Sequence, residues 1–175
     1  PNADWFFWKK TLDVTVPHFA KSIEFALKES SSQKNNELYR SYLMEVTRNY
    51  IENVLQRHWL DSVSDYEHAV EQIKRQKCPD KYIESFHSHC DRVLQLYDQL
   101  IKLTSTDKNY SFQAAIEHIS TPGSNPYLPI AMRRWPNAYH GYQSHGAFEL
   151  YVKIYKPRFE LYYKALSEKL KNKDI

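Results

Sequence analysis

The chain has 175 residues, 42% hydrophobic and 26% charged, with a net charge of +3 and only three glycines. At average usage of about 7%, a chain this long would hold about a dozen glycines, the residues that supply φ > 0 in tight turns and phosphate loops. The shortage excludes a many-turned β-sandwich or barrel, and it excludes the Gly-rich nucleotide-binding motifs, which need two or three clustered glycines.

In chain order, Asp4 is placed to cap a short aromatic helix through Trp5, Phe6, Phe7, Trp8 and Leu12. Thr15-Val16-Pro17 predicts a cap and restart, with a second helix through Phe19, Ile23, Ala26 and Leu27. The polar run Ser30 to Asn36 predicts a connecting loop, ending in an Asn35 or Asn36 cap. A long helix is then expected from Glu37 to about Trp59, with Leu38, Tyr42, Val46, Tyr50, Val54 and Leu55 on its inner side. Ser64 to Glu67 has the Ser-x-x-Glu form of a capping box and predicts a separate helix to about Gln76, striped by Tyr66, Ala69, Val70 and Ile73.

Pro79 and Asp80 open the next helix. Its stripe of Ile83, Phe86, Cys90, Val93, Leu94, Tyr97 and Ile101 follows spacings of three and four, which place all seven on one face. A shorter helix is expected from about Ser111 to Ile119. The last runs from about Ala147 to Lys171, with an aromatic stripe of Phe148, Tyr151, Tyr155, Phe159 and Tyr162, and a kink or break expected near Tyr155 because Pro157 lies inside it. The predicted fold is therefore all-α: one domain over residues 1–175, an irregular bundle of roughly five to seven helices.

One segment breaks the helical pattern. Residues 120–146 hold all three glycines (Gly123, Gly141, Gly146) and four of the eight prolines (Pro122, Pro126, Pro129, Pro136). Its aromatic and apolar content (Tyr127, Leu128, Ile130, Met132, Trp135, Tyr139, Tyr142) predicts an ordered long loop before the kinked last helix. Charge divides there too. Residues 1–120 carry 15 Lys and Arg against 17 Asp and Glu, net −2, whereas residues 121–175 carry 9 against 4, net +5.

Glu84-x-x-His87, with Asp65-Tyr-Glu-His68 as a near match, resembles half of a carboxylate-bridged di-iron site, but Glu84 and His68 fall away from their apolar stripes. His87 and Cys90 lie one turn apart, as a shared metal would need, yet no Cys-x-x-Cys accompanies them, and Cys90 reads more simply as a small core residue. No metal or cofactor is expected. No nucleophile elbow is present, and Cys78 with Cys90 is too few for a disulfide framework. The absence of a signal-like N-terminus and of a long apolar run leads to the expectation of a cytoplasmic protein without a membrane span.

The remaining candidates converge on the 121–146 loop. Arg133, Arg134, Trp135, Tyr139, His140, Tyr142 and His145 combine the residue types enriched in protein-binding hot spots. The leading expectation is a non-enzymatic binding or regulatory module that uses this loop to meet another protein, a second copy of itself included. Arg134, His140 and His145 over a bundle end would equally suit a small-molecule pocket. With Lys153, Lys156, Arg158 and Lys164 supplying cations and Trp135, Tyr139 and Tyr142 supplying stacking surfaces, nucleic acid is an alternative partner. Arg134 and His140 also enclose five residues, which resembles the short Arg-x4–6-His motif of the HEPN helical ribonucleases over Arg133 to His140 alone. That resemblance implies a metal-independent ribonuclease, with Arg134 on the scissile phosphate and His140 as acid or base at the 2′-hydroxyl.

Overall fold

The computed structural model describes residues 3–120, 123 and 148–173. Among them there is no strand, and the chain is all-α as the periodicity predicts. We number the helices α1 (Ala3–Lys28), α2 (Glu37–Lys74), α3 (Asp80–Thr104) and α4 (Phe112–Ile119), with a 3₁₀ turn at Lys108–Tyr110. The last helical run, α5, covers 148–172 and contains a π-helical stretch at Tyr151–Tyr155.

Two predicted breaks are absent. The restart at Thr15-Val16-Pro17 does not occur, and α1 passes through Pro17 without interruption. Ties to α2 hold it on both sides of the missing hydrogen bond: Lys9 Nζ to Asp61 at 2.5 Å, Arg57 to Asp13 at 2.6 Å, and Tyr39 Oη to the Ala26 carbonyl at 2.5 Å. Ser64 starts no helix either. Glu37–Lys74 is one helix of 38 residues, about 57 Å long at 1.5 Å per residue. The contacts His58–His89, Tyr66–Phe86 and His68–Tyr82 bridge to α3 on both sides of Ser64, so packing overrides the local cap signal. Ser62 satisfies its hydroxyl within the helix by donating to the Trp59 carbonyl at 2.7 Å.

Other local signals hold. Asn36 caps α2 by accepting from the Tyr39 amide at 3.2 Å, and Ser111 caps α4 by accepting from the Ala114 amide at 3.1 Å. Pro79 stands just before α3. The distortion expected around Pro157 takes a specific form: the Lys156 amide bonds to the Tyr151 carbonyl, an i→i+5 link. Proline has no N–H and its ring crowds the carbonyl four residues back, so the turn ahead of Pro157 widens rather than breaking. Gly123, the one described glycine, has φ +92°, the kind of conformation for which glycine is used.

Topology follows from which side chains meet. Residues 9, 13, 15 and 26 of α1 pair with 61, 57, 53 and 39 of α2, so the two helices are antiparallel. Tyr66–Phe86 and His68–Tyr82 make α3 antiparallel to α2. His87–Tyr163, Tyr97–Phe159 and Asp98–Lys156 make α5 antiparallel to α3. The core lies among α2, α3 and α5: Leu55, Ala69, Phe86, Cys90, Val93, Leu96, Tyr97, Leu100, Tyr151, Phe159 and Leu170 are all buried there. Of the predicted α3 stripe, Phe86, Cys90, Val93 and Tyr97 are buried and Ile83, Leu94 and Ile101 partly so, while Leu96 and Leu100 are buried outside it. Of the predicted α5 stripe, Tyr151 and Phe159 are buried and Tyr155 and Tyr162 partly so, while Leu150 and Leu170 are buried outside it. On α1, by contrast, the described buried residues are Leu12 and Ala26.

Candidate functional site

All seven residues expected to form the binding loop (Arg133, Arg134, Trp135, Tyr139, His140, Tyr142 and His145) lie outside the described residues. The ordered-loop expectation for 121–146 lies outside them too, Gly123 excepted. Among the described residues, three other places gather side chains of functional interest.

The first is the end of the α1–α2 hairpin, where the sequence misleads. Leu38 and Tyr42 continue the spacing of Val46 and predict burial, yet Leu38 is 83% exposed and Tyr42 53% exposed. On α1, Phe25 is 72% exposed, and Leu27, predicted with the helix's apolar set, is also exposed. These residues are chain neighbours of the Tyr39–Ala26 hydrogen bond that joins the two helices, so they share one end of the hairpin. Val14, three helical turns before Phe25 and close to the same face, is exposed as well. The correction has a physical cause. Periodicity reports which side chains share a face, but burial needs a neighbouring element, and α1 already occupies one side of α2.

The second is a polar network that ties α2 to the start of α5. The Arg48 side chain, 11% exposed, pairs with Glu45 and Glu52, the latter at 2.7 Å. Tyr110 Oη donates to Glu45 at 2.9 Å, and Tyr151 Oη donates to Glu52. Burial would raise the Glu45 carboxyl, but the hydrogen bond and charge of Arg48 outweigh it and hold Glu45 below its usual value. Burial, reinforced by Glu52, pushes the Tyr151 hydroxyl well above the usual range, and Tyr110 is pushed up to about 12 by burial and Glu45. Glu45 therefore stays ionised and Tyr110 and Tyr151 stay protonated near neutrality, as suits a fixed brace rather than proton transfer.

The third is an open groove along α3, lined by His58, Glu84, His87, Ser88, His89, Asp91, Arg92 and Gln95. His58 of α2 and His89 of α3 meet Nδ1 to Nδ1 at 2.8 Å, and His89 Nε2 lies 3.8 Å from Asp65. His87 turns instead toward α5, its Nδ1 3.0 Å from the Tyr163 hydroxyl. The three histidines thus belong to two separate contacts. Among the described residues no three His, Cys, Asp or Glu side chains are grouped to hold a metal ion. Cys90 is fully buried and Cys78 exposed, and both are free thiols. Burial pushes the Cys90 thiol up to about 12, so it packs as a small apolar residue and offers no thiolate. His58 carries no motif in the sequence. The only hint is its place one turn after Val54 and Leu55, at the edge of a buried stripe.

Comparison of the chain with protein-family models, curated proteins and solved structures gives no match. Among the described residues no helix is long and apolar enough to cross a membrane.

Proposed function

We propose that the chain is a non-enzymatic binding or regulatory module whose partner is another protein, with a second copy of the chain the first candidate. The observation that carries this reading is the set of large apolar side chains left in water at one end of the hairpin: Phe25, Leu27, Leu38 and Tyr42. A concentration of exposed large apolar residues at one end of the hairpin supports an interaction surface there. The tightly packed α2–α3–α5 core supplies the rigid support such a surface needs. The Arg, Trp and Tyr residues of 133–142 have hot-spot composition and are proposed as a second contact region.

The test is sedimentation equilibrium across a range of concentrations, comparing the wild type with Phe25→Ser/Leu38→Ser. The expected result is self-association that the double substitution weakens about tenfold or more, with an unchanged thermal midpoint. A wild type that stays monomeric at every concentration removes the second copy as partner. Association that the double substitution leaves unchanged removes the hairpin end as its interface.

A further inference from the structure

The contact between His58 and His89 limits where their protons can sit. A hydrogen bond between two Nδ1 atoms 2.8 Å apart needs one donor and one acceptor. The Asp65 carboxylate 3.8 Å from His89 Nε2 favours a proton on that nitrogen. A neutral His89 protonated at Nε2 presents its Nδ1 lone pair, so His58 is the donor through Nδ1–H. The order is then Asp65, His89, His58, with His58 Nε2 left as an unprotonated nitrogen.

We propose that this pair is a proton-operated clasp between α2 and α3, closed while the two imidazoles share a hydrogen bond and opened when both carry a charge. One added proton is compatible with an N–H···N bond, because one lone pair remains. A second is not: two N–H groups would then face each other across 2.8 Å with like charges. Asp65 favours a charged His89, but it faces Nε2 and not the Nδ1–Nδ1 contact, so it leaves the two facing N–H groups opposed. On α2, Asp61 favours the charged form of His58 and Arg57 opposes it. Asp61 is already engaged by Lys9 of α1, and Arg57 by Asp13 of α1. On α3, Arg92 opposes it, while Glu84 and Asp91 line the same groove. The α5 side chain nearby, Tyr163, bonds to His87 rather than to the pair.

Burial first, then the charges of His89 and Arg92, hold His58 below its ordinary value. The folded chain therefore binds this proton less readily than the unfolded chain, whose histidines titrate near 6.5. The clasp contributes stability above about pH 6.5, and that contribution is lost as the pH falls through the folded value. The reading does not depend on the hairpin end being an interface.

Nitrogen-15 NMR of the imidazoles tests it, with His58→Gln and His89→Gln providing assignments. At neutral pH the expected spectrum shows His58 as the Nδ1–H tautomer and His89 as the Nε2–H tautomer. On acidification the pair should titrate in two steps separated by about one pH unit or more. In His58→Gln, His89 should return to a single step. Two independent single steps near 6.5, with no tautomer preference, would overturn the proposal. A second readout compares urea midpoints at pH 7.5 and pH 5. The wild type should lose more on acidification than His58→Gln/His89→Gln, and equal losses would contradict the clasp.

Discussion

The α3–α5 half of the molecule and the α1–α2 hairpin end use apolar residues to different ends. On α3, Phe86, Cys90, Val93, Leu96, Tyr97 and Leu100 are buried at helical spacing, and Tyr151, Phe159 and Leu170 of α5 meet them. At the hairpin end, side chains of the same character, Phe25, Leu38 and Tyr42, stand in water. Composition does not separate the two regions; coverage does. The α3–α5 half buries most of its apolar stripe internally, with Val152 and Leu161 of α5 as exceptions, while the hairpin end leaves Phe25, Leu27, Leu38 and Tyr42 together in water, and that leftover is what a partner can cover.

Substitutions should separate the halves by size of effect. The largest loss is expected for Phe86→Ala. Phe86 is fully buried and meets the rings of Tyr66 (tilted) and Tyr163 (edge-on), so its truncation should cost about 3–5 kcal/mol by urea denaturation. A loss below about 1 kcal/mol would mean that the α3 stripe is not the core. Arg48→Met comes next. It strands Glu45 and Glu52 on the α2 brace, and since both carboxylates are partly exposed the loss should be about 2 kcal/mol. Asn36→Ala removes the α2 cap and should cost about 1 kcal/mol, read from the same denaturation curves. Phe25→Ser/Leu38→Ser is expected to change stability least, within about 0.5 kcal/mol, because neither side chain is packed. A loss comparable to that of Phe86→Ala would erase the contrast between the regions.

How far the sequence reveals this arrangement depends on the range of the cause. The α3 stripe is legible because seven residues at three- and four-residue spacing define one face, and Pro79 marks its start. The distortion before Pro157 is legible because the missing N–H is a local fact. The continuity of α2 is not legible. Ser64-x-x-Glu67 has the form of a helix start, and only the contacts to α3 on either side decide otherwise. Leu38 and Tyr42 have interior spacing yet stand in water for a related reason: spacing gives a face but not a neighbour. His58 and His89 are 31 positions apart, and nothing short of the antiparallel register brings them together.

The most direct test of the binding reading is photo-crosslinking in the living host, with a light-activated residue placed at position 25 or 38 and, as a control, at the exposed position 102. The account predicts a discrete adduct from 25 and from 38 and none from 102, with an adduct of twice the chain mass if the partner is a second copy. No adduct from either hairpin position, or equal adducts from all three, would contradict it.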